Sequence, residues 1–295
     1  MKSTPAKFAG LLGLAAVLTP LTGLFGAIPM RTLRRTFGRL PFWAGCLAVA
    51  GAFFAVQMPA QGVFVLLLTL LVGVYAEVEA HGESVFISGL TAVCTSLGLT
   101  AVGATLILMR SGSSVLTEIK AYIATVAAEA AKVNPDVTVD PEMLVRTLPA
   151  AIVITLIVAL GLALMWDRYA ASLVRLPRAS AGINEKLRAF SIPDVFIWIT
   201  TASIFAAYYK HGNLLAETIG LNVFYAMIAL YFFQGAAVIA QGFRTFKVGP
   251  FWQTIWIVMM VIQFYAVAFI GFADFWINFR SRIQRRTEPT KKSFN

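Results

Sequence analysis

Charged residues are scarce in this chain. Asp, Glu, Lys and Arg make up 13% of its 295 residues, whereas soluble domains carry about 25%. The apolar residues reach 59%, and the mean hydropathy is +0.77. A soluble globule could not cover its surface with so few charges, and this composition also excludes intrinsic disorder, collagen and coiled coil. The apolar stretches must therefore face lipid, which predicts an integral membrane protein.

Cysteine, histidine and catalytic motifs are also few. There are two histidines and two cysteines, Cys46 and Cys94, and both cysteines lie inside apolar stretches without disulfide or metal spacing. No His-Glu-x-x-His motif, phosphate-cradling loop or nucleophile–base set occurs. We therefore expect no catalytic residue, no metal, no cofactor and no enzymatic activity.

Eight apolar segments can be read from the chain, and a helical span needs about 20 such residues. The sequence predicts an all-α, polytopic membrane helix bundle with about eight transmembrane segments. A single domain would cover residues 1–279, with polar connectors near 111–148 and 167–193, and a basic tail would cover 280–295. The segments are 8–29, 41–57, 61–76, 84–109, 150–166, 195–209, 221–243 and 251–279.

The first segment has two interpretations. Pro20, Gly23 and Gly26 interrupt residues 8–29, so this segment is either a kinked span or a re-entrant hairpin. In the connector after the fourth segment, Val115 and Tyr122 belong to an apolar pattern with helical spacing. That pattern predicts an amphipathic helix on the membrane surface.

Basic residues outnumber acidic ones, 24 to 14, which leaves a net charge of +10. They lie between the apolar segments and at the ends, where they set topology and meet anionic lipid, so the expected partner is the bilayer and not nucleic acid. With eight crossings, or with a hairpin at the first segment, Lys and Arg divide almost evenly between the two sides. The positive-inside rule then leaves the orientation open.

Asp274 is the first candidate for a ligand or proton site. It lies in the last apolar segment, with Asn278 and Arg282 at one-turn spacings on the same helical face. A carboxylate inside a span can hold a proton, a cation or a polar substrate. The alternative is an interfacial Asp that anchors the helix end to Arg280 or Arg282.

Three uncharged polar residues of the seventh segment extend the candidate site. Asn222, Tyr225 and Gln234 place two amides and a phenol within one span. Such groups bind a neutral polar ligand or hydrogen-bond to neighbouring helices, and helix packing is the favoured interpretation.

An acidic cluster lies between the third and fourth segments. Glu77, Glu79, His81 and Glu83 could hold a metal or relay a proton, but Gly82 breaks the run and the position favours a solvated loop. We therefore expect Glu79→Gln and Glu83→Gln to leave folding nearly unchanged.

Four short motifs occur in order along almost the whole chain. They are PLTGLFGAIP at 20–29 before a basic loop, LPAA at 148–151, Asn222 followed by YFFQGAAVI at 231–239, and GFAD at 271–274 with Arg280 after it.

Together these motifs resemble the YybS-like family of predicted bacterial multi-pass membrane proteins. The resemblance implies a protein of the bacterial cytoplasmic (inner) membrane and no established activity. That family in turn more distantly resembles the substrate-binding subunits of vitamin transporters.

Two functions remain open from the sequence. The first is a small-molecule binding or transport component, based on the intramembrane amides and Asp274. The second is a non-enzymatic structural or assembly protein of the envelope that binds other membrane proteins.

Overall fold

The computed structural model describes residues 5–111, 115–133, 140–173, 186–209 and 212–285. Within these ranges the chain forms twelve helices of seven or more residues and no strand. Their bounds are α1 Pro5–Thr22, α2 Ala27–Phe37, α3 Arg39–Ala55, α4 Pro59–Ala80, α5 Val85–Ser111, α6 Val115–Val133, α7 Pro141–Leu173, α8 Val195–Tyr208, α9 Leu214–Thr245, α10 Pro250–Ile262, α11 Phe264–Ile277 and α12 Phe279–Arg285.

The all-helical membrane fold is confirmed. Five helices (α1, α4, α5, α7 and α9) contain stretches long and apolar enough to cross a membrane, α3 and α8 are shorter apolar helices, and α10 with α11 forms an apolar pair bent by 96°. Each of the eight predicted segments overlaps one of these helices or the bent pair.

The first apolar segment folds back on itself. α1 ends at Thr22, Gly23 adopts a left-handed conformation (φ 65°), and α2 begins at Ala27. The ring of Phe8, at the start of α1, lies 5.1 Å from the ring of Phe37, at the end of α2. The start of α1 and the end of α2 therefore lie on the same side of the bundle. Of the two interpretations of the first segment, this arrangement favours the re-entrant hairpin over the kinked span.

The next helices alternate in direction, and their contacts define what we call the charged end of the bundle. α3 begins and α4 ends there, because Arg39 lies 3.3 Å from Glu77. α7 ends there as well, because Asp167 is paired with Arg35 of α2. The charged end is thus where α2, α4 and α7 end and where α3 and α5 begin.

α9 runs parallel to α7 and also ends at the charged end. Asn222 contacts Ala150 near the start of α7, and Phe233 lies against Gly161 further along. Because the residue number increases on both helices from the first contact to the second, α9 runs parallel to α7 and ends at the charged end.

The last apolar segment enters the bundle and returns. Phe264, at the start of α11, stacks on Phe232 in the middle of α9 (4.6 Å). After α11, Arg280 donates to the carbonyl oxygen of Phe190. The Phe190 ring lies near the ring of Phe86 in the first turn of α5, which begins at the charged end. α11 therefore ends at the charged end. Since α9 and α11 both end at the charged end, α10 and α11 form a re-entrant pair within the predicted eighth segment.

Basic side chains concentrate at the charged end. Of the described Lys and Arg side chains, only Lys120, Lys132 and Arg146 lie towards the opposite end, on α6 and the first turns of α7. By the positive-inside rule, we expect the charged end to face the cytoplasm. The even division expected from sequence arose because the last segment was counted as a crossing.

This orientation predicts a labelling pattern. In a chain with Cys46 and Cys94 replaced by Ser, a membrane-impermeant maleimide should react with Lys120→Cys in intact cells, since this exposed side chain lies on α6, away from the charged end. It should react with Lys247→Cys, beyond the end of α9, only after permeabilisation. The reverse pattern would contradict the assignment, and shielding of Lys120→Cys and Lys132→Cys under both conditions would contradict a surface position for α6.

Candidate functional site

Asn222 forms hydrogen bonds with the backbone of α7 next to a proline. Pro149 lies inside α7, where a proline disrupts the local i→i−4 hydrogen bonds. The Ala150 N–H donates to Oδ1 of Asn222 (2.7 Å), and Nδ2 of Asn222 donates to the Arg146 carbonyl oxygen (2.7 Å). Ala150 and Arg146 are four residues apart and would bond to each other in an unbroken helix. The Asn222 amide therefore binds, beside Pro149, the two backbone groups that pair with each other in a regular helix.

Gln234 joins three parts of the chain. Its side chain is buried, Oε1 accepts from the Ile192 N–H (2.9 Å), and Nε2 donates to the Gly271 carbonyl oxygen (3.0 Å). The amide thus holds α9, α11 and the segment before α8 together, and both of its ends are occupied by backbone groups.

Asp274 binds backbone and side-chain groups that follow the end of α11. Its Oδ1 accepts from the Phe279 N–H (2.8 Å), and its Oδ2 lies 3.3 Å from Nε of Arg280. Arg280 in turn donates to the Phe190 carbonyl oxygen (2.6 Å). Burial lowers the pKa of the Arg280 guanidinium below its ordinary value, and the nearby carboxylate of Asp274 acts in the opposite direction.

The predicted common face of Asp274, Asn278 and Arg282 is wrong. α11 ends at Ile277, and Asn278 adopts the left-handed conformation (φ 50°) that commonly follows a helix. The chain changes direction there, so Arg280 faces Asp274 and Arg282 is exposed. Helical spacing in the sequence could not show that the helix stops one residue before Asn278.

The five candidate site residues do not form one group. Twelve residues separate Asn222 from Gln234 on α9, a rise of about 18 Å. Gln234 and Asp274 both help to hold the segment before α8, Asn222 is bound to α7, and Tyr225 is half-buried beside the ring of Phe224.

A second cluster, at the charged end, joins α2 to α4 and α7. Arg31 pairs with Glu79, Arg35 pairs with Asp167, and Nη2 of Arg34 donates to Oε1 of Glu77 (2.9 Å). We call this the α2 ion-pair cluster; it comprises Arg31, Arg34, Arg35, Arg39, Glu77, Glu79 and Asp167.

The cluster corrects the expectation of a solvated acidic loop. The side chain of Arg31 is 3% exposed and packs 5.1 Å from the ring centre of Tyr75, and that of Asp167 is 1% exposed. Glu79 is therefore the partner of a buried arginine and Glu77 that of the half-buried Arg34, and only Glu83 of the predicted loop carboxylates is exposed. The spacing of the α2 arginines indicates a basic helix face, but not the helix it contacts.

Four buried side-chain atoms of this region have no hydrogen-bond partner among the described residues. They are the Tyr75 hydroxyl, Nε of Arg31, Nε of Arg34 and Oδ1 of Asp167. Buried polar groups of this kind bind ordered water or a small polar molecule. In the described part of the chain, no three His, Cys, Asp or Glu side chains lie close enough together to hold a metal ion.

The comparison with known families decides the membership of the chain. The model of the family described as predicted membrane protein (DUF2232) matches residues 8–275. The chain belongs to the DUF2232 family. The resemblance to uncharacterised multi-pass membrane proteins is confirmed, and no curated protein or solved structure matches the chain.

In this DUF2232 protein, the intramembrane polar groups hold helices together. A test is Asn222→Leu, which leaves the Ala150 N–H and the Arg146 carbonyl oxygen without their side-chain partner. Each buried backbone group left unpaired costs about 1–3 kcal/mol, so the midpoint of thermal unfolding in detergent should fall clearly. Tyr225→Phe is the matched control on the same helix and should behave as wild type. Equal midpoints for the two variants would contradict the role of Asn222.

Proposed function

We propose that this DUF2232 protein is a non-enzymatic structural or assembly protein of the bacterial cytoplasmic membrane that acts by binding another membrane protein. The observation that carries the proposal is the use of the candidate site residues. Asn222 and Gln234 bind backbone groups of this chain, and Asp274 binds one backbone N–H and the side chain of Arg280.

A carrier for a small molecule needs polar groups that can exchange partners during binding and release. The two amides each bridge backbone groups on different elements. Breaking those bonds to admit a ligand would leave backbone groups unpaired in lipid, which is costly. These contacts favour a fixed bundle over a ligand pocket at the amides.

One observation favours a second candidate function, the binding of a small polar ligand at the charged end. Oδ1 of Asp167 in the α2 ion-pair cluster has no hydrogen-bond partner among the described residues, and neither has the Tyr75 hydroxyl, whose ring packs against Arg31. Arg31 and Arg35 carry positive charge there. This second function uses residues other than the five candidates from the sequence.

The proposal is tested by recovering the protein with its partners. A tagged chain, expressed at its native level and extracted in native lipid particles, should co-purify with one or a few membrane proteins in fixed stoichiometry, as read by mass spectrometry. Recovery of the chain with lipid alone, across several extraction conditions, would contradict the assembly function.

Asp274→Asn tests whether Asp274 only anchors the end of α11 or carries a charge that the function uses. Asparagine keeps an oxygen for the Phe279 N–H and removes only the charge that faces Arg280. If Asp274 is an anchor, the variant should recover partners as wild type does, with a lowered thermal midpoint. A variant that folds and inserts normally but fails in growth and partner recovery would instead show that the charge of Asp274 is used in function.

A further inference from the structure

The re-entrant pair presents a large apolar surface that the rest of the chain does not cover. Twelve of the thirteen residues of α10 have described side chains, none of them buried. Phe251 is 72% exposed, Trp252 58% and Trp256 50%. The surface continues onto α11 at Tyr265 and Phe269. We call the exposed faces of α10 and α11, with the bend between them, the elbow surface.

The bend lies deep in the membrane. Phe264 follows the bend and stacks on Phe232, which lies in the middle of the 32-residue helix α9. Gln263 at the bend is exposed, and its side chain does not cap α11. The bend therefore presents the amide side chain of Gln263 outwards near mid-depth, at the point where the backbone changes direction.

Lipid cannot satisfy the Gln263 amide, because hydrocarbon offers no hydrogen bonds. Irregular backbone at membrane depth likewise occurs where protein or a water-filled cavity covers it. An uncovered elbow would leave this amide in hydrocarbon, whereas a helix with one polar side chain at this depth would pair with it.

Charge at the edge of the elbow surface argues against a second copy of the chain. Lys247 precedes α10, Arg282 follows α11, and both are exposed at the charged end. The nearby acid, Asp274, is already paired with Arg280. Two elbow surfaces docked face to face would bring like charges together, which is unfavourable, whereas an acidic partner would be complementary.

We propose that the elbow surface binds a transmembrane helix of a different membrane protein. This helix carries a hydrogen-bonding side chain at mid-depth, opposite Gln263, and acidic residues at its cytoplasmic end, opposite Lys247. The inference rests on the proposed assembly function and adds the binding surface and the chemistry of the partner.

The test is site-specific photo-crosslinking with the full chain in intact membranes. A photoreactive phenylalanine analogue replaces Trp256 of the elbow surface or, as a matched control, Phe205 of α8, which is 59% exposed and lies outside this surface. The Trp256 position should give one discrete adduct with another membrane protein whose sequence contains the predicted polar and acidic residues. The Phe205 position should give lipid adducts only.

Two variants then test the chemistry of the contact. Lys247→Glu should lower the yield of the Trp256 adduct about two- to fivefold, and changing the partner's acidic residue to Lys should restore it. Gln263→Leu should lower the yield about tenfold. A monodisperse elution profile in detergent shows that each variant is folded.

The remaining outcomes overturn the proposal. An adduct between two copies of this chain would assign the elbow surface to self-association, and lipid adducts alone at Trp256 would make it a lipid-facing surface. If partners co-purify but Trp256 captures none of them, the assembly function stands and the elbow surface fails. If no partner co-purifies and none is captured, both proposals fail.

Discussion

Glu79→Gln should destabilise the protein by about 3 kcal/mol, because breaking a buried ion pair leaves its partner charge uncompensated. The partner is Arg31, whose side chain is 3% exposed and lies between Glu79 and the ring of Tyr75. Unfolding in detergent, followed by fluorescence or by loss of the monodisperse peak, should show a large fall in midpoint. From sequence alone the same substitution was expected to have almost no effect.

The matched control is Glu142→Gln. Glu142 pairs with Arg146 one helical turn away, and its side chain is 83% exposed, so this pair contributes at most about 1 kcal/mol. Replacing both members of the buried pair, Arg31→Met with Glu79→Leu, should recover much of the stability lost in Glu79→Gln, since no lone charge remains. Equal midpoints for Glu79→Gln and Glu142→Gln would mean that water solvates Glu79.

The close crossing of α9 and α11 should make the protein as sensitive to a larger side chain at Gly235 as it is to Glu79→Gln. A Cβ at Gly235 would lie 2.0 Å from the Val267 carbonyl oxygen, and a Cβ at Gly271 would lie 2.0 Å from the Tyr231 carbonyl oxygen. Both obstacles are backbone atoms, which cannot move aside as a flexible side chain can. Gly235→Val should therefore cost about 3 kcal/mol through overpacking and should separate the two helices.

Gly242→Val is the control for this substitution, because Gly242 lies on the same helix and a Cβ there meets nothing within 4 Å. Separation of α9 and α11 would also break the hydrogen bond from Gln234 to the Gly271 carbonyl oxygen. Gly235→Val should thus lower the thermal midpoint far more than Gly242→Val. Similar midpoints for the two variants would contradict the close crossing.

The role of individual polar residues depended on contacts that sequence spacing does not contain. Glu77 and Glu79 looked solvated because only their neighbours along the chain were visible, whereas their partners lie more than forty residues away on α2. For Asn222 the sequence favoured helix packing over ligand binding, but only the structure shows that its partners are the Ala150 N–H and the Arg146 carbonyl oxygen beside Pro149 of α7. Asp274 kept its polar role, but with Arg280 as its partner, because α11 ends at Ile277.

The sequence by itself determined the membrane setting, the all-helical class and the positions of the apolar segments. These properties follow from local composition, since a span must be apolar over its whole length and must satisfy its own backbone. The tertiary structure alone decided the hairpin of α1 and α2, the re-entrant course of α10 and α11, and the pairing of the α2 arginines. Those features depend on which helix faces which, and segments of similar hydropathy do not encode that choice locally.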